Sequence, residues 1–491
     1  MSSASYPSVP SFPSAPQFPA SPAFPAPPTV TISVTAGTVL ATVPSTAFGV
    51  NSAAWEGNLT DAPVPNLVKA TPIKSWRYPG GSTADSYHYA DNSVLQVANG
   101  TRQVQQVNFD TFMGVVNASG GFGHITVNYG SNLMYTAGGD PTEAANWVQY
   151  ANVTKLYGVK YWTIGNEVFG HAFGQTWETN LNTDTTPAGY AANAKTFISA
   201  MKAKDSTIKV GVSVIGAGDF YGGNAGGWNQ PVLAGCGGVI DFVDVHFYPG
   251  DDTTGDADLL GSVSRIPGIV ADLRGTINAN AGANAPNVGI WVGETNTNST
   301  GKQRIGLPNA LFLADSLLTW LEQGVLGVMW WDVFNGPNVD GAGNPLGNNS
   351  ASLYGTATYG DLGLLATGYS GPHVTEPAAD TPFPPYYGYK LLSSVCAPGD
   401  TLVAASSNQS KVHVHAAKQI ASGKLAVLIV NTDPSTSYPA TVNVTGYTGA
   451  TAVTVKSYGI GSTDVTTTTA AGTGTAVTVT VPPYSLTALV F

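Results

Sequence analysis

The 491-residue sequence predicts a (β/α)8 barrel with an accessory β-sandwich built from both chain ends, on three observations. Short apolar strands alternate with longer helical stretches through the middle of the chain, the pattern of βα units around a parallel sheet. Eight such strands end near Asn51, Arg77, Tyr129, Asn166, Val214, Tyr248, Glu294 and Trp331, enough to close a barrel. At the two ends the texture changes: β-branched residues alternate with small or polar ones from Thr29 to Val43 and again from Leu402 to Phe491, with no helical period.

The expected domains are a tail at 1–28, a barrel at 47–396 and a sandwich from 29–46 plus 397–491. In the tail, Pro7, Pro10, Pro13, Pro16, Pro19, Pro22 and Pro25 recur at every third position, and Tyr6, Phe12, Phe18 and Phe24 at every sixth. Polyproline II also repeats every three residues, so this stretch predicts an extended rod of up to roughly 90 Å with no catalytic part. Helical stretches are expected over Asp140–Tyr157, Pro187–Ala203, Pro308–Gln323 and Pro384–Val395, where apolar residues fall at three-to-four spacing, with a proline near the start in three of them. In the sandwich, 411–415, 424–431 and 476–481 read as short strands between turn-rich stretches.

Composition narrows the partners. A net charge of -11 with few, scattered cations argues against nucleic acid or an anionic membrane, and no apolar window is long enough to span a bilayer. The abundance of Gly, Thr, Ser, Asn and Ala with scarce Lys resembles extracellular enzymes that act on neutral polymers, so a carbohydrate partner and a secreted location are expected. The N-terminus lacks the basic start and apolar run of a signal peptide. Sequons at Asn58, Asn99, Asn117, Asn152, Asn298, Asn348, Asn408 and Asn443 add little, because a chain this rich in Asn, Ser and Thr generates several by chance. Cys236 and Cys396 are neither a disulfide framework nor a metal cluster; one bridge or two buried thiols both fit.

Barrel chemistry sits at the carboxyl ends of the strands. There Tyr161-Trp-Thr-Ile-Gly-Asn-Glu167 closes one strand in a carboxylate and Ile290-Trp-Val-Gly-Glu294 closes another. Glycoside hydrolysis needs two such carboxyl groups flanking the sugar bond, about 5 to 5.5 Å apart for retention of configuration. At that spacing an ionised nucleophile raises the pKa of its partner, so the acid is expected to hold its proton near neutrality. Asp244, His246 and Tyr248 alternate onto one face of a third strand, Tyr248 at the rim and His246 a layer lower, with Asp244 as a buried structural partner. Arg77 ends the second strand, and Asn128 the third, where a turn role competes with a site role. Trp330 and Trp331 point opposite ways at the end of the eighth, so one can stack a sugar while the other enters the barrel–helix interface. Trp55, Trp177 and Trp228 are loop candidates for subsites, and the long stretch from Phe334 to Pro382 is expected to form one wall of the cleft. No catalytic metal or other cofactor is expected, because no His-x-x-x-His or Asp cluster stands at a strand end. A structural calcium in the Gly/Asp-rich loop Gly250–Asp258 stays open.

In order and spacing, Gly165-Asn-Glu167, His246-Phe-Tyr248 and Gly293-Glu294 resemble the large clan of retaining glycosidases with an Asn-Glu pair after strand four and a Glu after strand seven. The resemblance implies Asn166 as binder of the 2-hydroxyl, Glu167 as acid/base and Glu294 as nucleophile, with His246 and Tyr248 beside the nucleophile; strand-end position adds Arg77, Trp331, Trp330 and Asn128 as candidate substrate contacts. Trp76-Arg-Tyr-Pro-Gly-Gly81 is similar to family 51 arabinofuranosidases and their relatives in families 39 and 79, except that Ser82 stands where family 51 continues with Asn. It implies release of a terminal neutral sugar, foremost an α-L-arabinofuranoside. Endo-β-glycanase, β-xylosidase, galactofuranosidase and β-glucuronidase activities remain as alternatives within the clan, and a non-catalytic sugar-binding protein as one from another class.

Overall fold

The computed structural model describes residues 28–96, 101–217, 221–250, 255–297, 304–344 and 359–491. Residues 1–27 of the proline-rich stretch, the sequons at Asn99, Asn298 and Asn348, and residues 251–254 of the loop considered for calcium lie outside them. Chain order begins with β1 (Val30–Thr42), β2 (Phe48–Asn51), α1 (Val64–Lys69) and β3 (Ser75–Tyr78). A small sheet of β4 (Tyr87–His88), β5 (Ser93–Gln96) and β6 (Thr101–Val104) then decorates the loop before α2 (Phe109–Ala118). The barrel continues through β7 (Phe122–Val127), α3 (Pro141–Val148), β8 (Tyr161–Ile164), α4 (Pro187–Lys202), β9 (Lys209–Val214), α5 (Ala225–Cys236) and β10 (Phe242–Phe247). It ends with α6 (Asp256–Gly261), α7 (Ile266–Asn280), β11 (Gly289–Thr295), α8 (Leu307–Glu322), β12 (Gly327–Trp330) and α9 (Pro384–Leu392).

Strands β2, β3, β7, β8, β9, β10, β11 and β12 close in that order, all parallel, into the barrel expected from the strand pattern. Its helices begin where the sequence provides caps. Asp140 and Thr186 accept hydrogen bonds from Thr142 N and Gly189 N, and Pro141 and Pro187 occupy the first helical position, where the missing N–H is not needed. The helical stretch expected to Tyr157 passes from α3 into a π-helical segment at Gln149–Thr154.

The C-terminal strands are β13 (Thr401–Ser407), β14 (Val412–Lys418), β15 (Leu425–Asn431), β16 (Tyr438–Thr445), β17 (Ala452–Gly459), β18 (Thr466–Ala471), β19 (Ala476–Val481) and β20 (Ser485–Val490). With β1 they form one nine-stranded sheet in the order β18-β17-β20-β15-β14-β13-β1-β16-β19. Register shifts between β1 and β13 at Thr35/Val39 and Val39/Ala41 bend the sheet, and a bridge from Gly472 to Val477 brings its two edges together. The two halves thus pack face to face as a sandwich over Val30, Ile32, Val403, Val427, Ile429 and Val442. Strand β15 is buried on both faces: Leu425, Val427 and Ile429 fill the sandwich, while Ala426, Leu428 and Val430 join the barrel core.

Helix α8 lies between the two bodies. Its sequence is apolar on every side, and it is buried along nearly its whole length, as such helices must be. Its Asp315 accepts from His415 Nε2 at 2.8 Å and pairs with His413 Nδ1 at 2.5 Å, while Glu322 faces His415 Nδ1 at 2.8 Å, so a polar chain ties helix to sandwich. Cys236 and Cys396 are separate buried thiols.

Candidate active site

The carboxyl ends of the barrel strands surround a pocket of about 450 Å³ lined by Trp55, Gly81, Ser82, Thr83, Asn166, Glu167, Tyr248, Glu294, Trp331 and Leu362. Glu294 lies within β11 and projects from the barrel end, whereas Asn166 and Glu167 fall just beyond β8, where the chain turns sharply. Gly165 and Glu167 both take left-handed backbone conformations, at φ 72° and 36°. For a glutamate that geometry is unfavourable by roughly 1 kcal/mol or more, and such residues cluster at functional sites.

Beneath the pocket floor Arg77, 1% exposed, organises the acids. Its Nη1 donates to Glu294 Oε1 at 2.5 Å and Asn51 Oδ1 at 3.0 Å, and its Nη2 to Asn166 Oδ1 at 2.7 Å. Tyr248 donates its hydroxyl to Glu294 Oε2 at 2.7 Å. Burial and the Glu294 charge push the Tyr248 phenol well above its ordinary value, so it stays a neutral donor. His246 occupies the space between the acids, its Nδ1 2.8 Å from Glu167 Oε1 and 3.7 Å from Glu294 Oε2. One donor atom from each of Glu167, His246 and Glu294 lies within 4.8 Å of the others. Those atoms are a set a divalent cation can use, but the Arg77 guanidinium already bonded to Glu294 places a fixed positive charge against one.

The expectation of a singly held acid proton on Glu167 is corrected by these neighbours. Burial raises the Glu167 carboxyl, but the His246 hydrogen bond and charge outweigh it and hold the group below its usual value. Burial lowers His246, yet Glu294 and Glu167 together keep it above 6.5. At 2.8 Å the imidazole nitrogen and the carboxyl oxygen are close enough to share one proton.

Two further expected contacts are corrected. Trp330 is fully buried with its ring 6.1 Å from that of Phe312 on α8, because strand alternation sends it to the helix side while Trp331 faces the pocket. Asn128 serves its own turn: Oδ1 accepts from Ser131 N at 2.9 Å, and Nδ2 donates to Tyr87 O at 3.2 Å and Ser131 Oγ at 3.3 Å. Among the loop tryptophans, Trp55 lines the pocket, exposed Trp177 hydrogen-bonds Glu167, and Trp228 is buried in α5 with its Nε1 donating to Ser213 O at 3.0 Å. Leu362 contributes the long loop's part of the wall. Asp244 accepts from Thr163 Oγ1 at 2.9 Å inside the barrel.

Two carboxyls escaped sequence reasoning. Asp85 accepts the backbone N–H groups of Tyr129 and Asn166, each at 3.1 Å, tying the β3 loop to the ends of β7 and β8; burial pushes it up to about 7. Glu178, in the loop after β8, accepts from Ser82 and Asn166. Each is a lone acid in a turn-rich loop, and no spacing rule marks it.

No family model matches the chain. It is similar to the probable alpha-L-arabinofuranosidase C of Aspergillus clavatus, 26% identical over 234 residues, which are 42% of this chain and 41% of that protein. The match thus spans about two-fifths of that relative's length. In fold it resembles the alpha-L-arabinofuranosidase of Thermotoga maritima, solved as an arabinose complex, with a TM-score of 0.71 at 19% identity over 94% of this chain and all of that one. A family 44 xyloglucanase of Paenibacillus polymyxa aligns with a TM-score of 0.66 at 12% identity over 94% of this chain and 99% of its own. The barrel with its sandwich is the fold they share.

Proposed function

We propose that this chain is a retaining glycoside hydrolase that releases a terminal neutral sugar, foremost an α-L-arabinofuranoside. One observation carries the reading: carboxyl oxygens of Glu167 and Glu294 approach within 4.8 Å at the carboxyl ends of the barrel strands. That approach is nearer the double-displacement geometry of about 5 to 5.5 Å between carboxyl groups than the about 6.5 to 9.5 Å of an inverting site, and so supports retention.

In this mechanism Glu294, oriented by Arg77 and Tyr248, attacks the anomeric carbon, and the glycosidic bond breaks as the covalent ester forms. The leaving oxygen takes the proton shared by Glu167 and His246. Glu167 then removes a proton from the water that attacks the ester, which frees Glu294 and the sugar with its configuration retained.

The pocket lining supports a neutral substrate, since among the described residues it carries no positive charge and Arg77 beneath it is committed to Glu294, Asn51 and Asn166. A uronic acid finds no cationic partner among the described lining residues. Substrate identity leans on the arabinofuranosidases among the similar proteins. An endo-acting alternative draws on exposed Trp177, which hydrogen-bonds Glu167, and exposed Phe173, both with rings near that of Tyr221, which offer aromatic surface to a longer chain. A secreted location fits the composition and exposed sequons at Asn117, Asn408 and Asn443, and no described helix is long and apolar enough to cross a membrane.

The test is a side-by-side assay of aryl α-L-arabinofuranoside, β-galactofuranoside, β-xyloside and β-glucuronide with xylan and β-glucan, reading the anomer first released by NMR. Arabinose with retained configuration is expected. Tenfold faster turnover of another substrate, about 1.4 kcal/mol of transition-state preference, would replace the sugar while keeping the mechanism. An inverted first product would overturn the mechanism, and binding without turnover throughout would favour a lectin-like protein.

A further inference from the structure

Glu178 stands behind the pocket wall, 2% exposed, and the mechanism above does not use it. Its Oε1 accepts from Ser82 Oγ at 2.7 Å and from Asn166 Nδ2 at 2.9 Å, while its Oε2 is buried without a hydrogen-bond partner. No described cation pairs with it, and the nearby guanidinium of Arg77 is spent on Glu294, Asn51 and Asn166. A carboxylate here would be an uncompensated buried charge close to other acids, which is costly. A neutral acid protonated on Oε2 leaves Oε1 as a carbonyl that accepts both bonds. Burial, with the Asp85 and Glu167 charges adding to it, accordingly pushes the group well above the carboxylate range.

Donor and acceptor chemistry then orients the wall. Arg77 can only donate, so Asn166 must turn Oδ1 toward it and Nδ2 toward Glu178, keeping one N–H in reserve. Ser82 gives its single proton to Glu178 and keeps its lone pairs. Both residues line the pocket. We propose that Glu178 is a positioning residue that, as a neutral carboxylic acid, aims Asn166 and Ser82 so that this wall offers the sugar one amide donor and one hydroxyl acceptor. The proposal rests on the glycosidase reading for its substrate, and on local geometry for its chemistry.

It is tested in the full chain with Glu178→Ala, Glu178→Gln, Asn166→Ala and the Glu178→Ala/Asn166→Ala double variant. Glu178→Ala should lower kcat/KM on an aryl glycoside on the order of 10- to 100-fold, and isosteric Glu178→Gln should restore most of that loss with a pH profile that overlays the wild type. Adding Glu178→Ala to Asn166→Ala should cost less than Glu178→Ala costs in the wild type, because only its action through Ser82 then remains. Infrared spectra at neutral pH should contain a protonated-carboxyl band that Glu178→Gln removes. A displaced pH limb in Glu178→Gln, additive losses in the double variant, or no such band would overturn the proposal. If the wild type hydrolyses no glycoside the functional reading fails by itself, and the infrared difference still decides whether Glu178 is a neutral acid.

Discussion

His246 Nδ1 lies 2.8 Å from Glu167 Oε1 and 3.7 Å from Glu294 Oε2, so one imidazole faces both proposed catalytic carboxylates. Two groups this close titrate as a pair, and the last proton to leave belongs to the pair rather than to either residue. The upward shift of His246 places that loss above pH 6.5. The alkaline limb of kcat/KM should therefore lie above 6.5 in the wild type and move to lower pH in His246→Gln, where a lone carboxyl must hold the proton. Turnover should fall about 10- to 100-fold in the same variant. An unmoved limb would place the proton elsewhere.

Replacing Glu294 with Ala should abolish turnover of an activated aryl glycoside, and azide or formate should restore part of it by entering the vacated space. The rescued product should carry the inverted configuration. Wild-type activity in Glu294→Ala would end the assignment.

Glu167→Ala should behave differently. Substrates with good leaving groups need little protonation, so their glycosylation should be spared while the second step slows; poor leaving groups should lose on the order of 100-fold or more. Equal loss for both kinds, measured in one series of aryl glycosides, would count against the acid/base role.

The barrel was legible because each strand is a short apolar run ending in a polar residue, and because caps such as Asp140-Pro141 and Thr186-Pro187 mark the helix starts. Glu167 and Glu294 stood out for the same reason, as charges at the ends of apolar strands. The proton balance between Glu167 and His246 was not legible, since it depends on a 2.8 Å contact between residues on different strands. Nor was the position of Glu178, whose partners are Asn166 at the start of its own loop and Ser82 in the loop after β3. The sheet that closes the sandwich was visible as strand texture, but its order, with β1 between β13 and β16, is set by long-range pairing.

Stability should depend on pH through the chain linking α8 to β14. Burial opposes the charge on His415, but Glu322 and Asp315 outweigh it and raise its pKa from 6.5 to about 10; Asp315, against its own burial, is held well below 3.8 by His413 and His415. The His415 contribution is fully present below 6.5 and fades as pH rises toward about 10, whereas that of Asp315 is present above 3.8 and fades as pH falls further. Urea unfolding should show a plateau between those limits and a decline on either side. His415→Ala should flatten the alkaline decline and cost about 3 kcal/mol or more, because it leaves Asp315 and Glu322 short of a buried partner. An unchanged alkaline slope would remove the network from the account.

Trp330 and Trp331 are adjacent in sequence but should fail in opposite ways. Trp330 is fully buried against Phe312, so Trp330→Ala opens a cavity between barrel and helix and should cost about 3 to 5 kcal/mol of stability. Its effect on kcat/KM should be small wherever the variant stays folded. Trp331 lines the pocket with its Nε1 held by Asn335 Oδ1 at 3.1 Å, and Gly81 fits beneath it only because it has no side chain: a Cβ there would come within 2.9 Å of the indole, at φ +41°. Trp331→Ala should therefore leave the urea midpoint nearly unchanged and raise KM for the aryl glycoside, with a loss in kcat/KM of about tenfold from the missing ring contact. Gly81→Ala should reproduce part of that loss by displacing the same ring. If Trp331→Ala unfolds the protein or leaves KM unchanged, Trp331 belongs to the core and the sugar platform must be sought at Trp55, which lies against the neighbouring Gly80.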